Sequence, residues 1–533
     1  MNHFVAPLRW ALLSICLLAT VPLVRAQAPA APAPAAAKQR FDVFEYQVEG
    51  NTVLPAERIE RTVYPFMGEG RTIDDVEAAR AALEAAYRDA GYPTVLVDVP
   101  EQKVVSGLVV LNVVEGRVAR LRVLGSRYFS QDRIIATVPA LAEGAVPYLP
   151  DAQKQLAEVN TSADKRVTPM LRPGKLPGTT EVDLQVEDQL PLHGSIEINN
   201  HNAPQTTATR LLAGLRYSNL FQRDHTIGLQ VQTSPQKTAE VKVVAGSYSL
   251  PAQGGTLVFS ALRSDSSSFV GNGIGVFGKG TVVGARYLLP LMGDKPSTDL
   301  FQSLSLGIDY KDSDQALQLD DGTGFTTPIR YVPFSLAYSG SSTDAAGATD
   351  FNLGLVFAVR GLGSHEQQFA DKRFQARSNF AILKFGLSRT QKLPLDFSLY
   401  GRAEGQISDQ PLISNEQFVA GGQDSVRGYL ESTQTGDSAL RTTLELRSPS
   451  LAPKDSRIEL LQLRTFADAA YLRLRAPLPG THERYGLASI GVGLSLKARE
   501  GLSLRADLAW PLRDSGTQEA HKARLQASAQ YEF

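Results

Sequence analysis

Seven histidines, one cysteine and dispersed serines and aspartates are the side chains through which this 533-residue chain could do covalent or metal chemistry. The histidines are His3, His193, His201, His225, His365, His482 and His521, and no pair has metal-ligand spacing. Cys16 is the sole thiol, so no disulfide within the chain and no thiolate cluster can form. Gly271-Asn272-Gly273-Ile274-Gly275 has the glycine density of a phosphate loop. It lacks the Lys-Ser/Thr ending and the strand-to-helix setting that wrap backbone N–H groups around a phosphate, so it reads as a connection between strands. There is no Gly-x-Ser-x-Gly elbow. Neither catalysis nor a cofactor nor a bound metal is expected; a hydrolase assembled from dispersed Ser, His and Asp is the remaining enzymatic alternative.

Charge is nearly balanced, with Lys+Arg 54 against Asp+Glu 55, so nothing points to nucleic acid. The start reads as a secretory signal peptide over residues 1–26. Arg9 precedes an apolar stretch from Trp10 to Leu23, and Val24-Arg25-Ala26 offers small residues for cleavage after Ala26 or Ala28. Cys16 falls within it, which would leave the mature chain without thiols, as suits export through an oxidising periplasm. Residues 27–40 form an Ala/Pro linker with nothing to bury.

From Phe41 the pattern becomes that of a compact mixed domain, expected over residues 41–117. Phe41 to Val48 alternates as one strand, Pro55 to Tyr64 predicts a short helix, and Thr72 with Asp74 can cap a helix to Asp89. Its apolar stripe is Val76, Ala79, Leu83, Ala86 and Tyr87. Thr94 to Val99 and Gly107 to Val114 predict two more strands. The same order recurs over residues 118–188, with strands at Leu121 to Val123, Val167 to Arg172 and Thr180 to Val186, and helices at Ser130 to Thr137 and Pro150 to Asn160. Each unit has about 75 residues, enough for a modest core.

Residues 189–533 read differently. Segments of about ten residues alternate strictly and are separated by turn residues. In Arg441 to Arg447 the polar phase is Arg441, Thr443, Glu445 and Arg447, against Thr442, Leu444 and Leu446. Tyr400 to Ser408 and Leu502 to Trp510 behave alike. Roughly 340 residues at about 20 per strand and connection give about sixteen strands, from His193–Asn200 to Ala523–Phe533. A sheet in lipid cannot leave an edge unpaired, so the expected fold is a closed antiparallel transmembrane β-barrel with a polar lumen, preceded by two small α+β domains. The last strand carries Leu525, Ala527, Ala529, Tyr531 and Phe533 on one phase, with aromatics suited to the membrane interface.

One segment breaks the barrel pattern, Phe418-Val419-Ala420-Gly421-Gly422-Gln423-Asp424-Ser425-Val426-Arg427-Gly428-Tyr429. It resembles the inward-folding loop of the POTRA-bearing outer-membrane barrels, whose tetrad is Val-Arg-Gly-Tyr or Val-Arg-Gly-Phe. The resemblance implies a loop over about residues 412–430 between the eleventh and twelfth strands, with Val426, Arg427, Gly428 and Tyr429 at its tip and Gly421 and Gly422 as hinge. It also implies a partner motif on the thirteenth strand, matched by Phe466-Ala467-Asp468. A guanidinium in a narrow lumen needs an anionic partner, and a carboxylate accepts its fork bidentately. An Arg427–Asp468 pair is therefore expected to hold the loop inside. Tyr531 and Phe533 are expected to form the C-terminal assembly signal.

Within that superfamily the chain is most similar to the two-partner secretion transporters of the haemolysin-activator type. The features are two POTRA domains and the junction from Val167-Thr168-Pro169-Met170-Leu171-Arg172-Pro173-Gly174-Lys175 to Leu190-Pro191-Leu192-His193-Gly194-Ser195. The resemblance implies an outer-membrane protein with periplasmic POTRA domains that passes an unfolded secreted exoprotein through its lumen without ATP. Implied partners are that exoprotein, outer-membrane lipid and, during biogenesis, the barrel-assembly machinery and periplasmic chaperones; a monomer is expected. Some relatives carry an N-terminal plug helix, for which the linker here is too short. The alternative within the superfamily is a barrel-assembly insertase, whose first and last strands would part. A plain porin would need no domains ahead of the barrel.

Overall fold

The computed structural model describes residues 39–204, 206–265, 268–270, 274–276, 279–291, 299–318 and 324–533. The expected signal peptide, almost all of the Ala/Pro linker, the site of any plug helix and Gly271 to Gly273 lie outside the described residues.

The chain forms two compact units. The first is built on β1 (Phe41–Val43), β2 (Glu45–Glu49), α1 (Ala56–Val63), β3 (Gly68–Arg71), α2 (Ile73–Asp89), β4 (Val95–Asp98) and β5 (Leu108–Glu115). Strand β5 is central, parallel to β2 and antiparallel to β4. Val76, Leu83 and Tyr87 of α2 bury against Val95, Val97, Val109 and Leu111 of the sheet. The single strand expected over Phe41 to Val48 is two strands. The N–H groups of Phe44 and Glu45 both donate to the Gly107 carbonyl, at 2.8 and 3.2 Å, which turns β1 away to pair with β3. Strand β3, Gly-Glu-Gly-Arg, has no apolar alternation to reveal it. The cap of α2 uses Asp75, not Asp74: its Oδ2 accepts from the Thr72 N–H at 2.8 Å and from the Thr72 hydroxyl at 2.8 Å.

The following repeat comprises β6 (Arg117–Leu124), α3 (Gln131–Thr137), α4 (Leu149–Val159), β7 (Lys165–Pro173) and β8 (Thr179–Asp188), with sheet order β6-β8-β7. Within the second unit, Asp164, just ahead of β7, is the junction with the barrel. It is 4% exposed. Its Oδ1 lies 2.7 Å from His193 Nε2 and accepts from Gln189 Nε2 at 3.1 Å, and its Oδ2 accepts from the Ser218 hydroxyl. Burial pushes the Asp164 carboxyl up, but the bonds from Ser218, Gln189 and His193 more than offset this and hold it below its ordinary value. Nearby, Lys165 Nζ pairs with Asp224 at 2.9 Å.

The barrel strands are β9 (Leu192–Asn199), β10 (Arg210–Leu220), β11 (His225–Thr233), β12 (Lys242–Ala252), β13 (Gly255–Asp265), β16 (Lys279–Pro290), β17 (Leu300–Gln318), β18 (Gly324–Asp344), β19 (Gly347–Gly363), β20 (Ala381–Lys392), β21 (Ser398–Ser408), β24 (Ser438–Arg447), β25 (Ile458–Arg473), β26 (Arg484–Ala498), β27 (Leu502–Pro511) and β28 (Arg524–Glu532). Two short strands, β14 (Ser268–Val270) and β15 (Ile274–Val276), pair as a hairpin between β13 and β16. All sixteen barrel strands are antiparallel and closed, β28 pairing back onto β9 from Ser528 opposite Asn199 to Glu532 opposite Ser195. Beyond that ladder, Gly194 and Phe533 exchange two backbone hydrogen bonds of 2.9 and 3.0 Å, and the Phe533 ring packs over Gly194, where a side chain would have to displace it. The alternation decides the faces. Leu444 is 54% exposed on the lipid side, whereas its neighbour Glu445 is 3% exposed toward the lumen. The outward row of Leu525, Tyr531 and Phe533 is exposed, as expected for a lipid-facing strand.

Candidate functional site

Between the eleventh barrel strand, β21, and the twelfth, β24, the chain leaves the wall over residues 409–437 and folds into the lumen. Two short strands, β22 (Phe418–Ala420) and β23 (Gln434–Gly436), pair antiparallel and make the loop a hairpin. Gly421 and Gly422, the expected hinge, turn the tip with φ of +106° and +118°. At φ of +118° an L side chain is strained, and a Cβ on Gly422 would also displace the Glu431 carboxylate, so the position favours glycine. That carboxylate accepts the Gln423 N–H at 2.9 Å and closes the tip on itself.

The tip carries Arg427, 2% exposed. Its Nε donates to Asp468 Oδ2 at 2.7 Å and its Nη2 to Asp468 Oδ1 at 2.9 Å, the bidentate fork expected. The Arg427 N–H adds a third bond to the same carboxylate, at 3.1 Å. Asp468 lies on the thirteenth barrel strand, β25, as the sequence implied. The remaining nitrogen, Nη1, donates to Glu445 Oε2 on β24 at 2.6 Å. Phe466, two residues before Asp468 on the same lumenal face, places its ring centroid 3.3 Å from Arg427 Cζ.

Around this pair stands a charge network that the sequence did not single out. Arg464 of β25 bonds Asp507 of β27 at 2.9 Å and lies 3.5 Å from Glu445. Arg505 bonds Asp507 at 2.9 Å and Asp424 of the loop at 3.0 Å. Cations and carboxylates therefore alternate, and no buried charge in the network stands unopposed. Glu445 and Asp507 were both visible in the polar phases of their strands. What the sequence does not carry is the depth to which the loop descends, and that depth selects which carboxylates meet Arg427.

The rest of the tetrad fixes the tip to the wall. The Gly428 N–H donates to Gln526 Oε1 on β28 at 2.8 Å, and Gln526 Nε2 returns a bond to the Tyr429 carbonyl at 3.2 Å. The Tyr429 hydroxyl donates to the Arg513 carbonyl at 2.7 Å. Val426 and Tyr429 are fully buried among Ala420, Ala470, Leu472 and Leu487. Of the residues singled out from the sequence, Val426, Arg427, Gly428, Tyr429, Phe466 and Asp468 converge here with Gly421 and Gly422. Tyr531 and Phe533 do not; they lie on and just past the closing strand, outside the lumen.

Known proteins bear on this architecture. A model of the ShlB-type POTRA domain matches residues 41–116, and one of the haemolysin secretion/activation protein ShlB/FhaC/HecB matches residues 302–496. The heme/hemopexin transporter protein HuxB of Haemophilus influenzae is 21% identical over 492 residues, 91% of this chain and 86% of HuxB. The outer membrane transporter CdiB of Dickeya dadantii is 24% identical over 405 residues, 74% of this chain and 70% of CdiB. Among solved structures, CdiB from Escherichia coli superposes with a TM-score of 0.64 at 20% identity, covering 94% of this chain and 93% of that one. BamA from Haemophilus ducreyi lacking POTRA domains 1–3 gives 0.55 at 14% identity, covering 92% and 100%. At such identities the structural likeness speaks for the fold.

Proposed function

Because the chain belongs to the two-partner secretion transporters of the outer membrane, with its POTRA domains in the periplasm, we propose that it moves an unfolded secreted exoprotein through its barrel lumen once the inward-folded loop has been displaced. The observation that supports this reading is the pairing of Arg427 with carboxylates of the barrel wall. The loop is held by Arg427 through polar bonds to Asp468 and Glu445, which an incoming chain or water can replace, rather than by continuation of the barrel sheet.

The first POTRA domain, residues 41–117, and the second, residues 118–188, would receive the exoprotein, by an added strand at a sheet edge or an apolar segment laid in a groove. No nucleotide motif is present in the sequence, so folding of the emerging exoprotein outside the cell would supply direction without ATP and without catalysis. Tyr531 and Phe533 would be read by the barrel-assembly machinery after periplasmic chaperones deliver the chain, and the closed barrel would work as a monomer in lipid. Deleting Phe41 to Val114 should abolish secretion of the exoprotein while the barrel still inserts. Normal secretion by that truncation would sink the reading.

One observation favours a second reading, a barrel-assembly insertase. The ladder joining β28 to β9 registers five residue pairs, fewer than any other barrel ladder among the described residues. Crosslinking a trapped client separates the two: contacts along the lumenal face of β24 and β25 mean passage, and contacts along β9 and β28 mean insertion.

A further inference from the structure

Besides its tip, the loop is fastened along its first limb. Its first limb carries Glu416, whose side chain is 3% exposed. Glu416 Oε1 accepts from Lys311 Nζ of β17 at 2.5 Å and from the Tyr331 hydroxyl of β18 at 2.8 Å. Its neighbour Asn415 donates from Nδ2 to the Ser313 hydroxyl of β17 at 3.2 Å. Just before them, Leu412 and Ile413 are each 1% exposed in an apolar cluster with Ile329 and Ile382 of the wall and Phe369 of α5 (Glu366–Lys372). The partners on the wall lie on the seventh, eighth and tenth barrel strands, whereas Arg427 is held by the twelfth and thirteenth.

We propose that Glu416 is a second latch, a positioning residue that ties the first limb of the loop to β17 and β18 independently of Arg427, and that clearing the lumen requires its release as a separate step. The buried Glu416 side chain is bonded by Lys311, with Lys384 of β20 also acting on it, and reversing either member of the bonded pair sets like charges face to face in a buried site. The tip lock and this latch share no residue, so their effects on closure should combine independently. Breaking the tip alone leaves the first limb across the bore.

The inference rests on the reading that the loop leaves the lumen for transport, so the latch is tested first without any exoprotein, by conductance of the purified full-length protein in planar bilayers. Heat-modifiable mobility confirms the folded barrel in each variant. Glu416→Lys and Lys311→Glu should each raise mean conductance several-fold, and the double reversal should bring it back near wild type. Glu416→Gln, which keeps an acceptor for Tyr331, should raise it less. Combining Glu416→Lys with Asp468→Ala should exceed either variant. Wild-type conductance in both single reversals, or a double reversal as conductive as the singles, overturns the latch. Secretion tests the requirement: Glu416→Cys with Lys311→Cys, bridged by a bifunctional thiol reagent, should secrete at least about ten-fold less than the unbridged pair. Equal secretion overturns the requirement for release while leaving the transport reading standing; loss of secretion on deleting residues 41–114 addresses that reading alone.

Discussion

The Phe466 ring lies beneath the Arg427 guanidinium, its centroid 3.3 Å from Cζ, on the same strand face as the carboxylate that grips the fork. A cation over an aromatic face in a desolvated site gains about 2 kcal/mol. Phe466→Leu keeps the apolar bulk and loses this attraction. Single-channel records should flicker several-fold more often than wild type, while thermal stability of the barrel stays close to it. Unchanged flicker would mean that the ring only fills space.

Asp468→Ala removes the partner of three Arg427 bonds and leaves Glu445 as the remaining carboxylate bonded to the guanidinium. Breaking a buried pair costs about 3–5 kcal/mol, and Glu445 should keep the loss near the lower end. Secretion should fall and conductance rise, both measurable on the same preparations.

Arg427→Lys keeps the charge but replaces a planar fork by a point donor that cannot serve Asp468 and Glu445 together. It should resemble Asp468→Ala rather than wild type. Wild-type secretion from this variant would show that charge alone holds the tip.

The Asp164 junction should respond to acid in one direction. Its carboxyl is held below its ordinary value of 3.8, so its bonds are fully present above that pH and are lost as pH falls below it. Spin-label distances between the second POTRA domain and β9 should be unchanged from pH 7 to pH 5 and broaden only below 3.8. Asp164→Asn should broaden them already at pH 7, since the amide keeps one acceptor oxygen where two now serve Gln189, His193 and Ser218.

Phe533→Ala removes the ring that covers Gly194 at the closing seam. The fraction of barrel inserted in the membrane should drop several-fold, with secretion per inserted molecule unchanged. A normal inserted fraction would remove Phe533 from assembly.

The strand count and the faces of each strand could be read from the sequence because each depends on local order. Period-two alternation assigns Leu444 outward and Glu445 inward without knowledge of any neighbour. The tetrad and the Phe466–Asp468 motif carried the pairing through resemblance, not through spacing. Glu416 could not be read in the same way. It stands between Asn415 and Gln417 in a polar loop, and its partners Lys311 and Tyr331 are each more than 80 residues away. Strand β3 escaped for a different reason: it pairs Gly68 with Val43 and Arg71 with Phe41, and its two glycines carry no side chain to show a strand's alternation.

The two fastenings of the loop have a mechanical corollary. A cylinder braced across its bore by a tie-rod resists flattening, because any change of cross-section must stretch or buckle the rod. With Glu416 fixed to one arc and Arg427 to another, the resting barrel is a stiffened tube. Withdrawing the rod opens the bore and at the same time softens the wall, so the conducting form is the more pliable one. Its cross-section could then adjust to the shape of whatever threads it, and amide exchange along β17, β18, β24 and β25 should quicken together when the bore opens.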